Sequence, residues 1–270
     1  MPRSRVDTPT SRPSTAALRR VPNAAPPNRS LERGIALLRA FRPGLELLGN
    51  GELAERTGLS RATVSRLTQT LVRTGFLQYE PALRAYRLGA PVLSLAHAMR
   101  SGSPVLKLAA PWMRELAQAR RINVGIAVAD GDDMVYLESV RYSRKVSLRS
   151  VVAGQRVPIE LTSLGRAYLA ALPDAARDAW IAAMKRRRPG HAGALVHEID
   201  AARASVRARG YCVAAWQPAV VAVSTPLVLD NGAIYALNVS VATAEPPETV
   251  AGSLAGDLLD LKRRIVSALG

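Results

Sequence analysis

The side chains best suited to chemistry in this chain are concentrated in SRATVSRLTQ, residues 60–69: the hydroxyls of Ser60, Thr63 and Ser65, the guanidinium groups of Arg61 and Arg66, the carboxamide of Gln69, and the small Ala62. Arginine can bond bidentately to guanine O6 and N7, glutamine can pair with adenine, and hydroxyls and free helix N-terminal amides hold phosphates. Arg84 and Arg87, in YEPALRAYRL, add two cations that suit a nucleic-acid backbone or minor groove. Taken alone, any one basic stripe is equally a solvated helix face.

Covalent and metal chemistry find little support. There is no G-x-S-x-G elbow, P-loop, H-E-x-x-H or C-x-x-C. Cys212 has no matched histidine and is expected to be an inert buried thiol. His191 and His197 are six apart, a poor spacing for two ligands on one helix face, so no metal and no cofactor are expected. A second polar set stands out against apolar surroundings. Thr162, Ser163 and Gly165 open the segment LGRAYLAAL, where free amides could receive a carboxylate, and Asn238 and Ser240 alternate with Leu237 and Val239, so both point to one face of a strand. Plain capping and a solvent-facing strand side are the alternatives.

These residues need elements to place them. Ser30 is expected to cap a helix with the apolar face Leu31, Ile35, Leu38 and Phe41, ended by Pro43 and Gly44. A short helix follows at about Gly51 to Thr57 with Leu53 and Ala54 inward, then a turn at Gly58. A third helix is capped by Ser60, runs to about Thr74 and buries Val64, Leu67 and Leu71. Two short strands, Phe76 to Tyr79 and Ala85 to Leu88, complete a winged helix-turn-helix layout. From Gly89 to Arg121 the pattern is helical, broken near Gly102 to Pro104.

Beyond it the two periods mix. Strands are expected at Asn123 to Ala129, Met134 to Val140, Val146 to Val151, Tyr211 to Ala215, Val220 to Leu229 and Ile234 to Ala242. Helices are expected at Leu164 to Leu172, Asp174 to Lys185, His197 to Arg209 and Glu248 to Leu269. Asp130-Gly131 and Asn231-Gly232 are hairpin signals and require antiparallel pairing. KRRRP, residues 185–189, is expected to be a solvated helix end.

The 270 residues hold 37 Lys and Arg against 21 Asp and Glu, a formal charge of +16, which calls for a polyanionic partner. Residues 1–29 carry +5 with no apolar period and are expected to be a disordered basic arm; residues 30–88 carry +4 and residues 89–270 carry +7. Hydrophobic residues at 48% exclude wholesale disorder. The single cysteine fits a reducing cytoplasm, and no window has the length of a membrane span or a signal-peptide core. Four parts result: the arm 1–29, a DNA-binding unit 30–88, a linker helix 89–104 and a mixed domain 105–270.

The segments SLERGIALLRAF, ELAERTGLSRATVSRL, GFL and YRLG resemble the DNA-binding half of the IclR family of bacterial transcriptional regulators. VPIELTSLGRAYLAALP, the ARGY at residues 208–211 and VAVSTPLVLDNGAIYALNVSVA resemble its ligand-sensing half, so the likeness covers roughly residues 30 to 269. The resemblance implies an α+β chain: a winged helix, a linker helix and a GAF-like domain with a small-molecule pocket, working as a homodimer or dimer of dimers on a double-stranded DNA operator. It also implies that the loop before the LGRA helix and two strands line the pocket: Thr162, Ser163, Leu164, Gly165, Ala222, Ser224, Asn238 and Ser240. Many members carry acidic residues and a glycine where this chain has AAWQPA, with Trp216, Gln217 and Ala219. Trp216 then either caps the pocket or packs at an interface.

The function expected is a ligand-responsive regulator, with repression favoured over activation, sensing a small organic acid or phenolic compound and making no use of a membrane. Two rivals stay open at this point: a small-molecule enzyme with a basic N-terminal module, and a nonspecific architectural DNA binder.

Overall fold

Where the apolar spacing changes from helical to alternating, the chain changes element. A computed structural model describes residues 28–142 and 152–269. Helix α1 (Arg29–Arg39) is capped by Asn28, whose side-chain oxygen accepts from the amides of Ser30 and Leu31, both at 3.1 Å. Ser30, expected as the cap, therefore lies inside the first turn. The carboxamide oxygen of the earlier residue reaches two orphan amides at once. Leu37 is fully buried and Phe41 nearly so, whereas Leu31 and Ile35, expected inward, are 63% and 46% exposed.

Strand β1 (Leu48–Gly49), too short to show alternation, precedes α2 (Asn50–Thr57), which ends at Gly58; α3 (Arg61–Arg73) follows. Strands β2 (Leu77–Glu80) and β3 (Ala85–Leu88) are joined by a 3-10 turn at Pro81–Leu83 and form, with β1, a three-stranded sheet of order β1-β3-β2. Leu37, Leu48, Leu53, Val64, Leu77 and Tyr86 pack together beneath this unit.

Helix α4 (Ala90–Ser101) leads to α5 (Pro104–Arg120), with the break at Gly102 and Ser103. A six-stranded antiparallel sheet then forms from β4 (Asn123–Asp130), β5 (Asp133–Val140), β6 (Arg156–Pro158), β7 (Cys212–Gln217), β8 (Val220–Val228) and β9 (Ile234–Ala242), in the order β6-β5-β4-β9-β8-β7. The Asp130-Gly131 and Asn231-Gly232 signals mark the β4–β5 and β8–β9 hairpins.

Strand alternation sorts the core into two layers. Val221, Val223, Leu227, Leu237 and Val239 pack against α5 and the closing helix α9 (Pro247–Leu269). Ala127, Met134, Tyr136 and Ala236 point the other way, towards α6 (Ser163–Ala171), α7 (Asp174–Arg187) and α8 (Ala192–Arg209). Helices thus cover both faces, an α+β arrangement.

Three details depart from expectation. Helix α8 starts at Ala192, five residues before His197, after a 3-10 turn at Pro189–His191. Strand β6 has only three residues, too few for a period. The basic run is not simply solvated: Arg187 pairs with Asp132 at 2.7 Å and lies over the Trp180 ring, and Arg188 pairs with the buried Glu160 at 2.6 Å. The strand expected at Val146 to Val151, and the arm as far as residue 27, lie outside the described residues.

Several ion pairs join the N-terminal unit to the large sheet. Arg39 pairs with Asp130, and Arg42 with Asp133 at 3.3 Å, which brings the end of α1 onto the β4–β5 turn. Arg100 of α4 bonds the Leu137 carbonyl and reaches the Glu138 carboxylate at 2.8 Å.

Candidate nucleic-acid interface and sensing site

Helix α3 contains Arg61, Arg66 and Arg73 but no acidic residue. Its N-cap Ser60 accepts from the Thr63 amide at 3.3 Å and shares a hydrogen bond with the Thr63 hydroxyl at 2.9 Å, so the first turn is closed by its own side chains. Val64 and Thr68 are fully buried. The Thr68 hydroxyl meets the Tyr86 hydroxyl at 3.3 Å, which ties the helix to the wing strand β3. Sequence reasoning missed this link, because Thr68 lies on an otherwise apolar stripe and its partner is eighteen residues away.

Arg61, Ala62, Arg66 and Gln69 are exposed, and Thr63 and Ser65 half-buried. Among the described residues no carboxylate pairs with Arg61, Arg66 or Arg84. Arg84 sits in the left-handed region at φ 49°, at the end of the wing turn. Arg87 differs, since Glu80 across the β2–β3 ladder holds it at 2.9 Å.

The second polar set gathers around a single row of the large sheet. Gly125, Asn238, Ser224 and Cys212 are consecutive register partners across β4, β9, β8 and β7. Ser163, at the start of α6, bonds Ser224 hydroxyl to hydroxyl at 2.7 Å, and the Cys212 thiol lies 3.4 Å from the Ser163 carbonyl. Asn238 is 5% exposed, and its Oδ1 has no hydrogen-bond partner. Tyr136 lies beside it, both side chains crowding the space above Gly125. Burial raises the Tyr136 phenol above its ordinary range, against the opposing influence of the Asn238 carboxamide, so it stays a neutral hydroxyl. Ala222 and Ser240 form the next row on the same face.

Other expected residues have structural tasks. Thr162 caps α6, accepting from the Gly165 amide at 3.1 Å and donating to the Pro158 carbonyl at 2.8 Å, so one of the amides expected to be free is taken. Gly165 faces the backbone of Ile159 so closely that a Cβ would lie 2.1 Å from its carbonyl oxygen. Leu164 is buried in the core layer with Met134 and Met184. Trp216 stands at a register shift between Ala214 and Gln217, which interrupts the alternation, and is 39% exposed. Cys212 is 1% exposed with its thiol pushed up to about 12 by burial, which keeps it protonated and unreactive.

Two residues that sequence reasoning missed shape this site: Tyr136, and Gly125, whose lack of a side chain leaves room for Asn238 and the Tyr136 ring. Among the described residues no cluster of His, Cys, Asp and Glu could hold a metal ion, and no helix is long and apolar enough to cross a membrane.

Two family models match the chain. The IclR helix-turn-helix domain covers residues 30–81, and the bacterial transcriptional regulator IclR C-terminal domain covers residues 97–266. Among curated relatives, the HTH-type transcriptional regulator TsaQ1/TsaQ2 of Comamonas testosteroni is 38% identical over 162 residues, 58% of this chain but only 57% of that protein's length. The Pca regulon regulatory protein of Pseudomonas putida is 30% identical over 220 residues, 78% of this chain and 73% of the relative. The crystal structure of an IclR family transcriptional regulator from Brucella abortus superposes with a TM-score of 0.81 at 32% identity, covering 89% of this chain and 92% of that one.

Proposed function

The chain belongs to the IclR family of bacterial transcriptional regulators, and from that premise we propose that it is a cytoplasmic regulator, not a catalyst, which binds an operator through α3 and the wing and answers to a small organic effector held by the large sheet. The observation that carries the reading is α3 itself: a helix locked by the Ser60 cap and the Thr68–Tyr86 bond, free of acidic residues, with Arg61 and Arg66 exposed and without ion-pair partners among the described residues. Ser60, Thr63 and the first-turn amides hold phosphate, Arg61, Arg66 and Gln69 face base edges, and Arg84 reaches the backbone or minor groove. Arg87, paired with Glu80, contributes less.

One such unit makes too few base contacts for genomic specificity, so the working form has two copies. An exposed apolar surface supports this. A groove of about 600 Å³ between α1 and α3 is lined by Leu31, Ile35, Leu38, Leu67, Leu71 and Leu95, and Leu93 and Met99 of α4 are 74% and 52% exposed. Covering such side chains with those of a second chain is favourable at about 25 cal/mol per Å².

The effector, an organic acid or phenolic compound, is placed at the row of Ser163, Ser224 and Asn238, where the unpartnered Asn238 Oδ1 favours a ligand with a hydroxyl donor. Calorimetry and titration of the chain's own upstream DNA test both halves. Asn238→Leu should abolish the effector response and spare ligand-free DNA binding. DNA binding that shows no preference for that fragment at physiological salt would instead favour an architectural role.

A further inference from the structure

Strand β5 meets three parts of the molecule within six residues. Asp133, at its start, pairs with Arg42 just beyond α1; Tyr136 lies beside Asn238 and Gly125; Leu137 and Glu138 are gripped by Arg100 of α4. Its hairpin partner β4 repeats the arrangement, with Gly125 at the sensing row and Asp130 paired to Arg39 of α1.

The tip of this hairpin is tied together by two arginines. Arg156 of β6 bonds the Asp130 carboxylate at 2.6 Å, the Asp130 carbonyl at 2.7 Å and the Asp133 carboxylate at 3.0 Å, while Arg187 holds Asp132 from α7. The side chain of Arg156 is 19% exposed, but those of Arg39 and Arg42, on the far side of the contact, are 54% and 47% exposed. Exposed pairs are the weaker ones, so the joint that yields first is the one between the hairpin and α1.

We propose that the β4–β5 hairpin is an intrachain lever between the sensing row and the reading head: a change at Tyr136 and Asn238 tilts β5 about its anchor at Arg100, and the acidic tip then releases or re-seats Arg39 and Arg42, changing the orientation of the winged helix. This rests on the sensing row proposed above. It adds the route, through packed strands and named ion pairs, by which occupancy there reaches α1.

The test needs no ligand. A methyl group on Gly125 would lie 2.5 Å from both Asn238 Oδ1 and Tyr136 Cε1, so Gly125→Ala forces those side chains to move from within. Affinity for a labelled fragment of the chain's own upstream DNA is measured by fluorescence anisotropy on the full chain, in four forms: unchanged, Gly125→Ala, Asp130→Asn/Asp133→Asn, and all three substitutions together. Gly252→Ala, at a helical position with open space around it, is the control. Gly125→Ala should shift affinity by about fivefold, the low end of ordinary coupling, and the shift should vanish when both tip carboxylates are neutralised. A shift of equal size in that background overturns the lever, as does no shift at all. If Gly125→Ala does not fold, Tyr136→Phe, which removes the hydroxyl facing Asn238, takes its place with the same readings. Failure of the effector reading shows separately in calorimetry with 4-hydroxybenzoate as the phenolic-acid probe, as binding that Asn238→Leu leaves unchanged.

Discussion

Gly125 and Asn238 face each other across β4 and β9, and the side chain that Gly125 lacks is what leaves Asn238 its place on the sheet. Asn238 Oδ1 is buried there with no partner. Leaving a buried acceptor unsatisfied costs about 1–3 kcal/mol, and an apolar replacement of similar shape removes that cost. Asn238→Leu should therefore leave stability unchanged or raise it by about 1 kcal/mol while the effector response is lost. Denaturant melts and calorimetry on one preparation check both; a loss of several kcal/mol would mean that Asn238 holds the fold instead.

Arg66→Ala should cost about 1–3 kcal/mol on the best DNA sequence and relax preference at one base position. Arg84→Ala should weaken all sequences alike and lower the slope of log affinity against log salt by about 1. Unchanged affinity in both variants, with melting curves intact, removes this docking of α3 and the wing.

A charged residue placed on the exposed apolar surface should break the paired form. Leu31→Glu and Leu95→Glu each put a carboxylate where a partner's side chains would pack, and should shift sedimentation towards the monomer. A dimer or larger assembly that persists in the double variant places the interface elsewhere.

Burial alone would raise the Asp130 carboxyl, but the hydrogen bonds and charges of Arg156 and Arg39 outweigh it and hold the group below the usual carboxylate range. Because the folded value is depressed, the stabilisation is fully present above the unfolded value of about 3.9 and is lost as pH falls through the folded value. Stability should then be insensitive to Asp130 from pH 5 to 8 and fall in the acid range below about 4. The side chain is 36% exposed, so the effect amounts to no more than about 1 kcal/mol. Asp130→Asn should flatten that part of the acid limb in urea melts; an unchanged limb would mean that the pairing is too solvated to count.

Ala219 adopts φ 55° in the two-residue turn between β7 and β8, after Pro218. The left-handed region costs an alanine about 1–2 kcal/mol, and the extra freedom of glycine in the unfolded chain takes back about 0.4–1 kcal/mol. Ala219→Gly should raise stability by about 0.5–1 kcal/mol, measured as a higher denaturation midpoint at constant m-value. A lower midpoint would show that this turn is set by Pro218 at no cost to Ala219.

Local signals made much of the fold legible. Ser60 ahead of Val64 announced α3, and the two Asp-Gly and Asn-Gly pairs placed both hairpins, because capping and turn chemistry act over three or four residues. Asn28 and Ser30 are both good caps two residues apart, and only backbone geometry chose between them. Leu31 and Ile35 fit a buried helical stripe, yet they face outward, since periodicity shows that a face is apolar and not which chain covers it. At the sensing row, alternation brought Asn238 and Ser240 to one face. It could not supply Tyr136, which reaches Asn238 only through the pairing of three strands, or Gly125, whose contribution is empty space.

The large sheet ends at β6, three residues long, and at β7, interrupted by its register shift and closed by Pro218. Among the described residues, then, one border is very short and the other is bulged, two features that discourage a further strand from being laid alongside. Extension of the sheet edge to edge is thereby made less favourable. The pairing of copies proposed above then falls to helix side chains, where a single substitution can tune the strength of the contact without endangering the fold.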